Sequence, residues 1–318
     1  MNPYLKSYRW SNIFAMLKNN KSVPLPTNQS ATGKLVVITG ATSGIGYHTA
    51  HLYASKGADL ICINRNAEKS ALLESEIKQQ YGVSCVCHLA DFSRLEDIRQ
   101  IAGTLSTISR NIDVVIHNAG VYNIYRTITM DGIEEVFQIN YLASFIITHA
   151  LIKKLSSQNH ARIIYVNSEG HRFALHGIHV NDLLWERHHY TGLKSYGSAK
   201  TAQLLSLFYF VKKFTDTGVT INAMHPGDVR TNIGENNGKL YRFFKHHIIN
   251  PSAKPATLSA QALYYLGISE DLKTITGKFF NYTAIEEPAP HALDEVRAQE
   301  LINHSLRLGG INEPQTTT

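Results

Sequence analysis

Leu35-Val36-Val37-Ile38-Thr39-Gly40-Ala41-Thr42-Ser43-Gly44-Ile45-Gly46 decides the fold. Leu35 to Ile38 is apolar and mostly β-branched, and reads as a short strand buried on both faces. Gly40, Gly44 and Gly46 follow at once, and Ile45 to Lys56 reads as a helix. Such a strand–turn–helix brings free backbone N–H groups and the positive end of a helix dipole to one point, which suits an anionic pyrophosphate. The spacing is neither Gly-x-Gly-x-x-Gly nor a P-loop, because no Gly-Lys-Ser/Thr follows. The plain alternative, a glycine-rich turn without a ligand, is opposed by the strand that immediately precedes it.

The same alternation continues outward. Leu60 to Ile63, Cys85 to Leu89, Val114 to Ile116, Ile163 to Val166 and Val219 to Met224 are further apolar runs, with helical stretches such as Ala67 to Tyr81 between them. Strand–helix–strand alternation predicts a parallel sheet, and right-handed crossovers put helices on both of its faces. The expected fold is α/β, a doubly wound parallel sheet of the Rossmann type, in a single domain over residues 34–310. Residues 1–33 form a leader and 311–318 a tail. In the leader, Tyr4, Leu5, Tyr8, Ile13, Phe14 and Leu17 recur at roughly helical spacing among Lys6, Arg9, Lys18 and Lys21, until Pro24 and Pro26 break the pattern. It reads as a helix or arm packed on the domain, or as a basic helix touching a membrane surface.

Composition narrows the class. Of 318 residues, 43% are hydrophobic and 18% charged, as in soluble globular chains. The net charge of +6 fits an anionic cofactor or a membrane surface, but no long basic run suggests nucleic acid. No apolar run nears the roughly 20 residues of a membrane span. The longest, Leu204 to Val211, is broken by Ser206. No apolar signal-peptide core is evident, so the expected location is cytoplasmic or peripheral to a membrane. The sequons at Asn28, Asn281 and Asn303 carry no weight without a secretory signal. Cys62, Cys85 and Cys87 make no CxxC pair, so neither a disulfide framework nor a zinc site is expected. The histidines include no HExxH, and His188-His189 and His246-His247 read as solvated surface, so no metal is expected.

Further chemistry lies at strand ends. The second strand ends Ile63-Asn64-Arg65-Asn66, without the acid that would bind the ribose of NAD. Arg65 suits a 2′-phosphate, which favours NADP(H) with NAD(H) as the alternative; an ordinary solvated arginine is the plain reading. Asp91, after the third strand, suits an adenine amino group. Tyr196 and Lys200, four residues apart, share a helix face. A free tyrosine titrates near pH ~10, and a neighbouring ammonium lowers that value. Tyr196 can then exchange a proton with an alcohol or carbonyl oxygen, which Ser168 can also hydrogen-bond. The Tyr/Lys pair alone is weak, and its weight comes from order: glycine loop, Asn118-Ala119-Gly120, Ser168, then Tyr196-Gly197-Ser198-Ala199-Lys200.

With these motifs, and with Asn140 and His225-Pro226-Gly227 also in order, the chain resembles the short-chain dehydrogenase/reductase family from about residue 34 to 310. The resemblance implies that Gly40, Gly44 and Gly46 hold the pyrophosphate, that Ser43 and Ile45 also bind the cofactor, and that Asn118 steadies the central strands beside it. Asn140 would bend its helix and hold a relay water. Ser168 would orient the substrate oxygen, Tyr196 would move the proton, and Lys200 would bind the nicotinamide ribose and tune Tyr196. Val229 and Thr231 would meet the carboxamide. Homo-oligomers built on the helices near Asp131 and Tyr196 are implied by the same analogy. Two residues depart from the family pattern, His117 before Asn118 and Asn167 before Ser168, and they put local geometry in doubt more than activity.

The long insert containing Asn181-Asp182-Leu183, the stretch Gly277-Lys278-Phe279-Phe280 and a terminal Leu301-to-Leu308 helix are similar to the retinol dehydrogenase-like branch. That implies a lipophilic alcohol or carbonyl substrate, retinoid-, steroid- or lipid-like. A substrate lid is expected over about 228–257, hinged at Gly234, Asn236, Asn237 and Gly238, with Leu240, Tyr241, Phe243 and Phe244 covering an apolar pocket. Ordinary core is the other reading of these aromatics. The expected function is an NADP(H)-dependent oxidoreductase on small-molecule alcohols and carbonyls. The alternative is a nucleotide-binding regulator or scaffold that has lost turnover. A nucleotide-sugar epimerase would carry Gly-x-x-Gly-x-x-Gly and a larger C-terminal region.

Overall fold

The decisive run forms β1 (Leu35–Thr39) and, beyond the glycine turn, α1 (Gly44–Ser55). The computed structural model describes residues 3–9, 12, 14, 18–19, 22–227, 229 and 254–312. The alternation continues through β2 (Asp59–Asn64), α2 (Ala67–Tyr81), β3 (Cys85–Leu89), α3 (Leu95–Ser106), β4 (Val114–His117), α4 (Glu135–Ser156) and β5 (Ala161–Val166). It ends with α5 (Gly192–Lys213), β6 (Val219–His225), α6 (Ala256–Ile268), β7 (Phe279–Asn281), β8 (Ala284–Glu286) and α7 (Glu295–Gly309). The strands make an eight-stranded sheet in the order β3-β2-β1-β4-β5-β6-β7-β8. All neighbours are parallel except β7 and β8, which form an antiparallel hairpin.

Strand periodicity sorts the core into two layers. Val37, Ile61, Ile63, Val115, Ile163, Tyr165 and Ile221 face the layer of α3, α4, α5 and α7. Val36, Ile38, Leu60, Val114, Ile116, Ile164 and Met224 face α1, α2 and α6. Every residue of β1, β4, β5 and β6 is buried, which is why β1, β4 and β5 carry unbroken apolar runs; β6 also buries Thr220 and Asn222. Strand β3 lies at the edge and leaves Val86 and Leu89 exposed. The order reverses between β1 and β4, so a crevice opens at their carboxyl ends, where such sheets bind ligands.

One feature differs from expectation. The longest apolar helical stretch is Glu135–Ser156, not Leu204 to Val211. Its mean hydropathy of 1.2 passes for a membrane span by length and composition, yet 78% of that window is buried, as the central helix of one layer must be. It also contains a π-helical turn at Gln138–Leu142. The leader runs along the rim beside β8 and the approach to α7: the Tyr4 hydroxyl donates to Asp294 at 2.8 Å, and Asn19 donates to Glu286 at 3.0 Å.

Candidate active site

The glycine loop is held by close packing. Gly40 adopts a φ of +71°, and a Cβ there would lie 3.0 Å from the Ala119 Cα. A Cβ on Gly46 would collide with the Gly40 carbonyl oxygen and meet Asn118 Nδ2 at 2.6 Å. Asn118 Nδ2 donates to the carbonyls of Thr39 and Gly40, both at 3.0 Å. Thr39 Oγ1 accepts the backbone N–H groups of Asn118 and Ala119, also at 3.0 Å. Asn64 Oδ1 accepts from the Ala41 N–H at 2.8 Å, which ties the loop to the end of β2. Ser43 occupies the N-cap position of α1, yet its side chain caps nothing, and Ile45 is buried behind it. The first-turn donors of α1 thus face a loop that lets backbone approach closely, as a pyrophosphate needs.

Arg65 stands exposed just past β2, with no ion pair among the described residues. Asp91 Oδ1 accepts from the Ser93 N–H at 2.9 Å and hydroxyl at 2.8 Å, so this carboxylate also braces the turn after β3.

Ser168 follows β5 and caps a short 3-10 turn, Glu169–Phe173, its Oγ accepting from the Gly170 N–H at 2.9 Å. The Tyr196 ring, from α5, lies against the same glycine. A Cβ on Gly170 would stand 2.8 Å from Tyr196 Cε1 and 3.1 Å from Ser168 Oγ. Gly170 therefore allows the hydroxyl and the phenol to share one space. The Tyr122 ring meets Tyr196 edge-on at 5.8 Å.

Lys200 lies one turn further along α5, its Nζ 5.7 Å from the Tyr196 ring centroid. It is 4% exposed, and burial pulls its pKa down to about 7. Nζ donates to the Val166 carbonyl at 2.7 Å and to Gln203 Oε1 at 3.2 Å. Asn140 sits in the π turn of α4, where its side chain exchanges two hydrogen bonds with the Val121 backbone, at 2.9 and 2.7 Å. Its carbonyl accepts from Gln203 Nε2 at 2.7 Å. The Gln203 amide thus bridges the Lys200 ammonium and the Asn140 backbone carbonyl. Gln203 is marked in sequence only by its place three residues beyond Lys200, on the same helix face.

Both departures from the family pattern have a physical reading. Asn167 Nδ2 donates to the Lys200 carbonyl at 2.9 Å and to Gln203 Oε1 at 3.0 Å, while its Oδ1 accepts from the Ser168 N–H at 2.8 Å. It joins the end of β5 to the helix carrying the lysine. His117 is buried in the α4 layer, with Nε2 2.9 Å from Thr148 Oγ1; burial lowers its pKa to about 3, so the ring is neutral. Val229 makes an isolated parallel bridge to Lys254. Thr231 and the expected lid residues Gly234, Asn236, Asn237, Gly238, Leu240, Tyr241, Phe243 and Phe244 lie outside the described residues.

Comparison with known proteins gives the family. A family model described as short chain dehydrogenase matches residues 34–180. The chain is 33% identical to human retinol dehydrogenase 13 over 297 residues, covering 91% of this chain and 88% of that protein. It is 32% identical to mouse retinol dehydrogenase 12, covering 90% and 89%. Among solved structures, an uncharacterised protein from Mycobacterium paratuberculosis superposes with a TM-score of 0.69 at 24% identity, over 93% of this chain and 98% of that one. A short-chain dehydrogenase from Burkholderia cenocepacia in complex with NADP gives 0.62 at 20% identity, over 82% and 99%. The chain therefore belongs to the short-chain dehydrogenase family, in its retinol dehydrogenase-like branch, as an NAD(P)-binding oxidoreductase that acts on the CH–OH groups of small-molecule alcohols and on the matching carbonyls.

Proposed function

We propose that this enzyme interconverts a lipophilic alcohol and its aldehyde or ketone with NADP(H), using Tyr196 to move the proton. The observation that carries the reading is the meeting of Ser168 Oγ and the Tyr196 ring over Gly170, with the Lys200 ammonium behind them. The glycine loop and the first turn of α1 hold the dinucleotide, Arg65 and Asp91 take its adenosine end, and Lys200, Val229 and Thr231 take its nicotinamide end. When bound, the nicotinamide supplies or accepts the hydride. Ser168 holds the substrate oxygen by a hydrogen bond. Tyr196 passes its phenolic proton to that oxygen in reduction and recovers it in oxidation. Lys200, as the ammonium, stabilises the phenolate left behind. Asn140, Asn167 and Gln203 fix the lysine against α4 and β5. NADPH mixed with a panel of aldehydes and ketones tests this directly. Tight NADPH binding without turnover on any of them would instead make the protein a nucleotide-binding regulator or scaffold.

NADP preference rests on Arg65 and on the missing acid at the end of β2. Arg65→Ala should weaken NADP more than NAD. A charge-assisted contact worth about 1.5–3 kcal/mol shifts the preference roughly tenfold or more. Titration with both cofactors checks this, and equal losses would remove Arg65 from the 2′-phosphate.

The lipophilic substrate rests on two supports: the retinol dehydrogenases that the chain is similar to, and Leu240-Tyr241-Arg242-Phe243-Phe244 in the expected lid. Across a homologous aldehyde series, kcat/KM should rise with chain length, by up to about fourfold per buried methylene. Phe243→Ala and Phe244→Ala should flatten that rise. A flat series in the parent enzyme, with both variants unaffected, would point to a small or polar substrate.

Gln203→Leu removes an acceptor from the Lys200 ammonium without touching substrate or cofactor. The lysine should then lose its proton at lower pH. The high-pH fall of kcat/KM for carbonyl reduction should move down by about one pH unit. An unmoved limb would reduce Gln203 to packing.

Two further proposals concern surfaces. The leader, with Phe14, Val23 and Leu25 exposed near Lys18, touches a membrane surface, which flotation with anionic vesicles tests by presence or absence of co-migration. The chain assembles as a homo-oligomer, and a monomeric mass by light scattering would refute this.

A further inference from the structure

All three cysteines of the chain converge on one point outside the active site. Cys62 on β2 stands opposite Cys87 on β3 in the parallel register, and Cys85, two residues earlier, points to the same side. The three sulfurs lie within 4.8 Å of one another. Cys62 is buried, while Cys85 and Cys87 are half-buried, because β3 is the edge strand. Helix α2 closes the other side: the Cys87 thiol donates to the Ser70 carbonyl at 3.6 Å and accepts from Asn64 Nδ2 at 3.5 Å. Glu74 Oε1 accepts from the Cys87 N–H at 2.5 Å, which sets a carboxylate beside the cluster.

We propose that Cys62, Cys85 and Cys87 form a three-sulfur site for one soft, thiophilic cation of the Cu(I) class. Sulfurs placed about 2.3 Å from a common ion in a trigonal plane lie about 4 Å apart, within the spacing of this cluster. No histidine nitrogen or carboxylate oxygen joins the group among the described residues, so the ligand set is all sulfur and three-fold. Soft thiolate sets take both zinc and Cu(I), but zinc needs four ligands in structural sites whereas Cu(I) is satisfied by three. The negative charge of Glu74 favours a cation there, and Asn64 Nδ2 supplies a donor to a thiolate on Cys87. On binding, each thiol releases its proton to the buffer and each sulfur donates a lone pair to the ion, with no change of oxidation state. The ion enters from the sheet edge, past Cys85 and Cys87. The distance along the chain hides this site, because Cys62 meets Cys85 and Cys87 only through the pairing of β2 with β3.

The test is an anaerobic titration of the full-length, reduced protein with Cu(I) held by the chromophoric chelator bicinchoninate. The chain should withdraw a single Cu(I) equivalent, with sulfur-to-metal absorption appearing in the near ultraviolet. Cys62→Ser, Cys85→Ser and Cys87→Ser should each weaken uptake by about 100-fold or more, since each removes one ligand of three. Circular dichroism checks that the variants fold, and if Cys62→Ser does not, the half-buried pair decides the outcome. Failure of the parent chain to compete with the chelator would overturn the proposal. So would uptake by Cys85→Ser and Cys87→Ser equal to that of the parent, which would move the ion elsewhere. Tighter binding of Zn(II) than of Cu(I) would overturn the assigned class.

Discussion

Tyr196→Phe should cut kcat by more than ~100-fold while the cofactor dissociation constant stays within about twofold. The substitution removes only the phenolic oxygen. The ring that packs over Gly170 and meets Tyr122 edge-on is retained, so the pocket keeps its shape. Stopped-flow turnover and quenching of NADPH fluorescence separate the two effects. A variant that keeps most of its activity would show that another group moves the proton. Gly170→Ala gives the complementary result: it leaves every hydroxyl and amine in place, but its methyl would press on both the Tyr196 ring and Ser168 Oγ. Turnover should fall although no reacting group has been removed, because a shift of about 1 Å at a reacting centre costs up to 10²-fold.

Strands β1, β4 and β5 were legible because each is buried on both faces and centres on a continuous apolar run, whereas β6 is buried as well but interleaves Thr220 and Asn222. The hairpin of β7 and β8 was not, since three residues per strand are too few to show a period. Its turn is made by Tyr282 at a φ of 53°, a residue type that gives no turn signal. The π turn around Asn140 was expected only as a bend. The candidate site divides in the same way. The glycine loop and the Tyr196/Lys200 pair are local in sequence, and local spacing reveals them. Gly170 and Gln203 matter through contacts between β5, α4 and α5; only its place three residues beyond Lys200 marks Gln203, and nothing in its own neighbourhood marks Gly170. Asn167 looked like a departure from the family pattern, and only its bonds to Lys200 and Gln203 give it a place.

Lys200→Met should affect rate, cofactor affinity and stability at once, in separable directions. Without the ammonium the phenolate of Tyr196 loses its neighbouring charge, and kcat should fall by about 10²–10⁴-fold, the range for losing one acid–base partner. Cofactor affinity should fall as well, unlike in Tyr196→Phe, because Lys200 also serves the ribose. Stability should move the other way. Burial holds the lysine at about 7 in the folded chain against 10.5 for an ordinary lysine. Between those values the unfolded chain binds more protons than the folded one, so this group makes stability rise with pH through that window and flatten above it. Below pH about 7 the folded protein carries a desolvated ammonium that methionine does not. The variant should therefore unfold at higher temperature than the parent near pH 6, and the gap should close toward pH 10. Thermal midpoints of both proteins across that range read the difference directly. A gap that does not change with pH would mean that Lys200 is solvated in the folded state, and the lysine would then lack the buried position from which it is argued to tune Tyr196.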